Sequence, residues 1–356
     1  MGKRRYLILA PDHFVNDAKT AHGVIRYGKD ETVAVVDRSC AGSSVQKVLP
    51  HLRSDAPIVA SVSEGLRYHP NTLLIGTAPQ GGKLPAQWRR DVLTALEAGL
   101  DLVSGLHDML AEDAEFVRAA HAHGARIWDV RKPPLVPLFS GAVYAVRAPV
   151  LLAVGNDCNV GKMTVMIELA NAAAAAGTTA EFVPTGQTGI MIAGWGIAVD
   201  RVISDFTTGA CERLVLQADA RHPRYVLVEG QGSINHPAYA PVTLALLFGC
   251  APDALILVAA PRRKHIEAFE TPTLSYMELI EIHETLCATV KPAKVVGIAL
   301  NTNGLSETQA HDEIERARSE TGLPADDVVR LGATDLWHAI QPQLIKREPL
   351  RSCVPA

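Results

Sequence analysis

The chain has 356 residues, of which 48% are hydrophobic and 20% charged, and its formal net charge is −4. This composition is typical of a globular protein with two domains of ordinary size. The small negative charge gives no electrostatic reason to expect nucleic acid or an anionic membrane as a partner. The apolar run at residues 6–10 is too short for a signal peptide or a membrane-spanning helix.

The cysteines are scattered, with no C-x-x-C pair and no Cys/His cluster at the spacing of a zinc site. This pattern predicts free thiols, a cytoplasmic location and no structural metal. The six positions are Cys40, Cys158, Cys211, Cys250, Cys287 and Cys353.

Short apolar runs alternate with helical stretches, which predicts an α/β fold with mostly parallel sheets. In residues 1–132 the strand candidates are YLILA, TVAVVD, PIVAS, TLLIGTA, DLVSG and RIWDV. The helix candidates PAQWRRDVLTALEAG and AEDAEFVRAAHAHG each end in a glycine suited to a helix C-terminus. A Rossmann-like domain is therefore predicted here. Because PDHFVND replaces G-x-G-x-x-G after the first strand, dinucleotide binding is unsupported.

The segment RKPPLVPLFSG marks a domain boundary, because its closely spaced prolines fit neither a helix nor a central strand. We predict a linker at 133–147, a second α/β domain at 148–345 and a tail at 346–356. Strand candidates in the second domain are APVLLAVG, AEFVP, YVLVEG, ALILVAA, KVVGIALN and VVRLGA, and helices are expected near 274–288 and 306–321.

The segment GNDCNVGKMT lies between a strand and a helix and has the character of a phosphate-binding P-loop, in which backbone N–H groups and a lysine contact phosphate. Met163 stands where a nucleotide hydrolase has the Ser or Thr that holds Mg²⁺. The loop therefore favours a ligand whose phosphates are held and not cleaved. The predicted cofactor-binding residues are Gly155, Asn156, Asp157, Cys158, Asn159, Val160, Gly161, Lys162, Met163 and Thr164.

The P-loop half resembles dethiobiotin synthetase, which has the loop form G-x-D-x-x-x-G-K and segments similar to PTGQTG and LVEGQGS. Glu229, in the second of these segments, is expected at the C-terminal end of a buried strand, where ligands bind in α/β sheets. Capping of nearby backbone N–H groups is its alternative role. Asn301 ends another strand and is a candidate for contacting an adenine edge, or for a simple turn role.

The whole chain, over about residues 5–340, resembles the D-glutamate N-acetyltransferases, a two-domain bacterial family formerly catalogued as a domain of unknown function. The resemblance rests on long blocks such as GARIWDVRKPP, GNDCNVGKMT, PTGQTGIMIAGWGIAVDRVISDF and VEGQGSINHPAYA. It implies acetyl-CoA as donor, D-glutamate as acceptor and no metal requirement. An ATP- and Mg²⁺-dependent ligase or kinase of dethiobiotin-synthetase type is the alternative function. A homo-oligomer is expected on general grounds.

Acetyl transfer to an amine needs a base, stabilisation of the oxyanion and cations for the acceptor's carboxylates. Glu229 is the preferred base, with Asp157, Asp205 and His265 as further candidates. Asp205 is as well explained as a helix cap. Cys158 suggests an acyl-cysteine, although a packed thiol explains it better.

Acceptor binding is assigned to basic residues after the strand ALILVAA and to the turn GQTG, with a solvated basic turn as the alternative. These residues are Gln187, Thr188, Gly189, Arg262, Arg263 and Lys264. In the first domain, an acceptor pocket or an oligomer interface is considered for His107, Asp108, Arg131 and Lys132.

Overall fold

The structure is a computed structural model that describes residues 3–77, 79 and 81–346. The predicted tail beyond Lys346 lies outside the described residues, as does Cys353. The chain forms two compact units. Of the described residues, unit 1 contains those up to Pro133 together with Gln187–Arg201, and unit 2 contains Pro134–Gly186 and those from Val202 to Lys346. The chain therefore leaves unit 2 once, for the segment Gln187–Arg201.

Unit 1 has a parallel six-stranded sheet in the order β3-β2-β1-β4-β5-β6. Its strands are β1 Arg5–Leu9, β2 Glu31–Val36, β3 Ile58–Val59, β4 Thr72–Ile75, β5 Asp101–Ser104 and β6 Ile127–Asp129. Its helices are α1 Lys19–Tyr27, α2 Val45–Val48, α3 Val62–Gly65, α4 Arg89–Glu97, α5 Ala114–His123 and, from the returning segment, α7 Gln187–Ala193. This strand order is that of a doubly wound Rossmann sheet, and the predicted Rossmann-like fold is confirmed.

Local signals explain where the predicted helices of unit 1 begin and end. The side chain of Asp113 accepts hydrogen bonds from the N–H groups of Glu115 and Phe116 and so caps the start of α5. Gly124 ends the same helix with a left-handed φ of 71°. On its inner side α5 buries Phe116 in the core cluster that covers one face of the sheet.

Unit 2 has a second parallel six-stranded sheet, in the order β12-β11-β10-β7-β9-β8. Its strands are β7 Val150–Gly155, β8 Ala180–Val183, β9 Tyr225–Val228, β10 Ala254–Ala259, β11 Lys294–Leu300 and β12 Ala325–Asp326. Its helices are α6 Lys162–Ala175, α8 Ser204–Asp219, α9 Ala240–Gly249, α10 Tyr276–Ala288, α11 Glu307–Thr321 and α12 Thr334–Ile340. The predicted P-loop parallel-sheet fold is confirmed as well.

The predicted strand VVRLGA is wrong. The edge strand β12 comes earlier, and residues 328–331 form a turn that leaves Val329 and Leu331 exposed. The cause is Asp327, whose Oδ1 accepts hydrogen bonds from the N–H groups of Val329 and Arg330. An Asp that binds the backbone two residues ahead stabilises a turn, whatever the β propensity of the residues that follow.

The proline-rich stretch after Pro133 packs against α8. The buried Glu212 accepts hydrogen bonds from the N–H groups of Ser140 at 2.7 Å and Val143 at 3.2 Å. A side chain at Gly209 would collide with the carbonyl oxygen of Pro137, so this glycine permits the close approach. In the described part of the chain, no helix is both long and apolar enough to cross a membrane.

His283, on α10, gives unit 2 a specific sensitivity to acid. Its side chain is fully buried, Nδ1 lies 2.6 Å from the Leu279 carbonyl oxygen, and Nε2 has no partner among the described residues. Burial lowers the pKa of His283 to about 4. As the pH falls below 6.5, His283 becomes protonated in the unfolded chain but stays neutral in the folded chain until about pH 4. Proton binding therefore favours the unfolded state, and the stability that is present above pH 6.5 is lost towards pH 4.

We expect His283 alone to reduce the free energy of unfolding by about 2 kcal/mol between pH 7.5 and pH 5. The measurement is urea unfolding at both pH values for wild type, for His283→Gln and for His338→Gln, which alters an exposed histidine. The His283 variant should lose less stability at pH 5 than the other two proteins. Equal losses in all three would contradict the assignment.

Candidate functional site

The parallel sheet of unit 2 brings most of the predicted site residues to one edge. All its strands run in the same direction, so the segments that follow β7, β8, β9, β10 and β11 leave at the same side. The P-loop follows β7 and Glu229 follows β9. The basic segment follows β10 and Asn301 follows β11. In open α/β sheets this carboxyl edge is where ligands bind.

The P-loop has the backbone shape of an anion site. After the buried strand β7, the chain takes left-handed φ values at Asn159 (56°) and Gly161 (107°), and α6 begins directly at Lys162. The first N–H groups of a helix have no partner within the helix, and they carry its partial positive charge. A loop with left-handed residues that leads directly into a helix N-terminus is the arrangement found at phosphate-binding sites.

Lys162 is buried, and its Nζ donates a hydrogen bond to the Asp157 carbonyl oxygen at 2.7 Å. The side chain runs past Gly230, where a Cβ would lie 2.9 Å from Lys162 Cδ and would collide with the Ala153 carbonyl oxygen. Glycine at position 230 therefore makes room for the lysine. Met163 is also buried, and its thioether offers a metal such as Mg²⁺ no oxygen ligand.

Asp157 fastens the loop to the segment that follows β10. Its fully buried carboxylate accepts hydrogen bonds from Arg263 Nη1 at 2.8 Å, the Glu267 N–H at 2.8 Å and the Cys158 N–H at 2.6 Å. Asn159 Nδ2 donates to Glu267 Oε2 at 2.7 Å. The Arg263 guanidinium is therefore an ion-pair partner of the loop itself, whereas the sequence assigned it to the acceptor's carboxylates.

The other predicted basic residues stand apart from this ion pair. Arg262 Nη1 donates to the Gly304 carbonyl oxygen at 3.1 Å. Lys264 and His265 are exposed on the hairpin 264–273, which a bridge between His265 and Pro272 closes. The four consecutive basic side chains therefore differ in their contacts, and Arg263 is the one that pairs with Asp157 of the P-loop.

Glu229 lies buried at the end of β9, and its Oε2 accepts hydrogen bonds from the N–H groups of Thr185 at 2.9 Å and Gly186 at 3.0 Å. Thr185 Oγ1 in turn donates to the Glu229 carbonyl oxygen at 2.9 Å. Glu229 therefore fixes the turn after β8, which was the alternative role considered for it. Its role as a base stays a prediction.

Asn301 uses both ends of its amide within the protein. Nδ2 donates to the Val160 carbonyl oxygen at 3.2 Å, and Oδ1 accepts from the Asn303 N–H at 3.1 Å. These contacts hold the P-loop against the end of β11, and a contact of Asn301 with an adenine edge stays a prediction.

Asp205 is exposed in the first turn of α8 and is not its N-cap, which is Ile203. A carboxylate in that turn interacts favourably with the helix dipole. The predicted catalytic role of Asp205 is untested by this placement.

Gln187, Thr188 and Gly189 belong to α7, and the structure places them in unit 1. The hydroxyl oxygens of Thr188 and Thr20 lie 3.1 Å apart, and Gln187 Nε2 lies 3.3 Å from the Thr20 hydroxyl. A side chain at Gly105 would collide with Gln187 Oε1, an atom that is buried without a partner among the described residues.

The returning segment also brings Asp200 to the unit-1 residues considered for an acceptor pocket. Asp200 forms an ion pair with Arg131, and His107 Nε2 lies 3.9 Å from its Oδ2. Burial lowers the pKa of His107, and the nearby Arg131 charge adds to that effect. Asp108 instead accepts a hydrogen bond from the Leu84 N–H at 2.8 Å, which orders its own loop.

Sequence reasoning missed an aromatic group beside the P-loop. The ring of the buried His236 lies 4.5 Å from the ring of Tyr239 and 5.3 Å from that of Phe269, measured between centroids. Tyr239 and Phe269 are 30 residues apart in the chain, and only Tyr239 lies in one of the blocks that carry the family resemblance, VEGQGSINHPAYA. Only the meeting of two loops at the sheet edge makes them neighbours.

Among the described residues, Asp157, Cys158 and His236 place possible metal ligands within 4.8 Å of one another. The Asp157 carboxylate is already neutralised by Arg263, and a guanidinium so close opposes a second cation. His236 Nδ1 accepts a hydrogen bond from the Ala238 N–H at 3.1 Å. The contacts therefore favour a hydrogen-bonded cluster over a metal centre.

Both units match described protein families. Residues 137–337 match the DUF1611 C-terminal P-loop domain, and residues 38–133 match the DUF1611 N-terminal Rossmann-like domain, each described as a domain of unknown function.

Curated relatives cover most of the chain. It is 39% identical over 273 residues to the D-glutamate N-acetyltransferase of Tritonibacter scottomollicae. The matched residues cover 76% of this chain and 80% of that enzyme. It is 36% identical over 278 residues to the D-glutamate N-acetyltransferase of a Pseudoalteromonas species, covering 78% and 83% of the two chains. A crystal structure of a DUF1611 family protein from Anabaena variabilis is similar with a TM-score of 0.91 and 38% identity, covering 96% of this chain and all of that one.

Proposed function

This chain belongs to the DUF1611 family, and from its similarity to two D-glutamate N-acetyltransferases we propose that it transfers the acetyl group of acetyl-CoA to the amino group of D-glutamate. The observation that carries the proposal is identity of 36–39% over three quarters or more of both chains. A shared P-loop alone would not distinguish acetyl transfer from ligase or kinase chemistry.

The geometry of the P-loop supports acetyl-CoA as the donor. Coenzyme A carries a diphosphate that must be held but is not cleaved. Lys162 and the N-terminus of α6 supply positive charge and N–H donors for it. Met163 supplies no oxygen for Mg²⁺, which phosphoryl transfer needs. We therefore expect acetyl transfer to proceed without an added metal.

The reaction needs a deprotonated amine, which attacks the thioester carbonyl. The new N–C bond forms, the C–S bond breaks, and the CoA thiolate leaves and is protonated. Glu229 remains our first candidate for the group that accepts the amine proton, because its carboxylate lies at the same sheet edge as the P-loop. His265 and Asp205 are the alternatives, and Lys264 with Arg262 is proposed to attract the acceptor's carboxylates. A homo-oligomer is also proposed, which light scattering would test.

We expect purified protein to release CoA thiol from acetyl-CoA with D-glutamate, not with L-glutamate, and at the same rate in EDTA. DTNB detects the thiol continuously, and mass spectrometry identifies the N-acetylated product. If the protein hydrolysed ATP in a Mg²⁺-dependent way and released no thiol with any amine, the result would contradict acetyl transfer and indicate a ligase or kinase.

A further inference from the structure

We propose that Tyr239 and Phe269 form an aromatic platform for the adenine ring of acetyl-CoA, with the base stacked on one ring and in edge contact with the other, because the two ring planes are inclined differently to that of His236. This inference rests on the proposed function, because it takes the donor to be a coenzyme A thioester. It extends that function by assigning the nucleotide end of the donor to particular side chains outside the P-loop.

The first observation is exposure. Tyr239 is 52% exposed and Phe269 is 40% exposed, although both carry large aromatic rings. Each packs against the ring of His236, which is itself buried. Two half-exposed aromatic rings around one buried ring leave a local apolar surface, and such a surface beside a polar site indicates ligand binding.

The second observation is that both rings are anchored to the P-loop. The segment 230–239 is tied to it by Ser233, whose hydroxyl donates to the Gly155 carbonyl oxygen at 2.9 Å. Possible ligand atoms of His236 and Cys158 lie within 4.8 Å of each other. On the Phe269 side, Glu267 bonds to both Asp157 and Asn159 of the loop. The platform therefore has a defined position relative to the phosphate-binding residues.

The two aromatic segments are also joined to each other. Asn235 Nδ2 donates to the Pro272 carbonyl oxygen at 3.5 Å, and the rings of His236 and Phe269 are in edge contact. The Tyr239 backbone is held at Gly232, where a Cβ would lie 2.6 Å from the Tyr239 carbonyl oxygen. An ordered aromatic surface loses little conformational entropy when a ligand binds.

Adenine is the part of the reactants that fits such a surface. A nucleobase presents a planar π-face, and stacking on aromatic side chains is a general way of binding it. In adenosine phosphates only a ribose separates the base from the phosphate, which matches a platform directly beside a phosphate loop. D-glutamate has no planar ring, and the pantetheine arm is a flexible chain. Asn301, the residue first considered for adenine, already bonds to the P-loop through its amide and would contact the edge of the base and not its face.

Kinetics with two donors tests the platform. We expect Tyr239→Ala and Phe269→Ala each to raise KM for acetyl-CoA by about tenfold, with KM for D-glutamate unchanged. With S-acetyl-4′-phosphopantetheine, which lacks the nucleotide, both variants should equal wild type. Tyr239→Phe should retain wild-type KM because it keeps the ring. Leu331→Ala, at an exposed apolar position in another loop, is the matched control.

Calorimetry with adenosine 3′,5′-bisphosphate separates this inference from the proposed function, because it needs no acetyl transfer. If wild type binds the nucleotide and the two alanine variants bind it about tenfold more weakly, the platform stands even if D-glutamate is not acetylated. Variants that bind it as wild type does overturn the platform, even if D-glutamate is acetylated. An altered oligomeric state with unchanged nucleotide affinity also overturns it, by making the rings a protein contact.

Discussion

Replacing Lys162 by methionine is expected to lower kcat/KM for acetyl-CoA by about a hundredfold or more, because a buried cation that pairs with phosphate is worth several kcal/mol. Lys162 is the first residue of α6, it is buried, and its Nζ lies at the P-loop, 2.7 Å from the Asp157 carbonyl oxygen. Methionine keeps an unbranched side chain of similar length and removes only the charge and its donors. Initial rates of thiol release over a range of acetyl-CoA concentrations provide the measurement.

The expected loss is specific to the donor, so KM for D-glutamate should stay near its wild-type value. Lys294→Met removes an exposed lysine at the start of β11 and is the matched control for loss of one positive charge. Thermal unfolding of each variant checks that the fold is intact. A folded Lys162→Met protein with wild-type KM for acetyl-CoA would show that the P-loop does not hold the donor's phosphates.

Replacing Lys291 by methionine is expected to destabilise the protein by about 2–3 kcal/mol, because it removes the buried cation paired with a buried carboxylate and leaves only the partly exposed Lys346, whose Nζ lies 3.3 Å from Asp253 Oδ2. The Lys291 and Asp253 side chains are 1% and 0% exposed, and Lys291 Nζ lies 2.7 Å from Asp253 Oδ1. Burial lowers the pKa of Lys291 to about 8, against the opposing effect of the Asp253 charge. At pH 7 the lysine is therefore still mostly charged.

A double variant separates loss of the pair from loss of packing. In Lys291→Met/Asp253→Asn the buried negative charge is removed together with the lysine, so urea unfolding at pH 7 should show a smaller loss of stability than in Lys291→Met alone. The asparagine can still accept the Val150 N–H bond that Asp253 Oδ2 accepts at 2.8 Å. If the single and double variants were equally destabilised, the cost would come from packing and not from the loss of the buried cation beside the Asp253 carboxylate.

The secondary structure could be predicted wherever one local signal decided it. Buried apolar runs become β1, β7 and β10, since a strand covered on both faces of a parallel sheet reads as a continuous apolar segment. Ser275 and Ser306 begin α10 and α11 with reciprocal capping boxes. The predicted strand VVRLGA was wrong because another local signal decided this segment. The turn stabilised by Asp327 outweighed the β propensity of the valines.

The candidate site divides in a similar way. The sequence by itself determined the P-loop, its lysine, the methionine that replaces a metal-binding hydroxyl, and membership of the family, because each depends on residues close together in the chain. The tertiary structure alone decided that Gln187–Arg201 joins unit 1 and that Arg263 pairs with Asp157. It also decided that Glu229 caps a turn, and that Tyr239 and Phe269 both contact the His236 ring. The physical reason is that a polar or aromatic side chain takes its partners from whichever strand ends the sheet order brings together, and that order arises from packing of the whole unit.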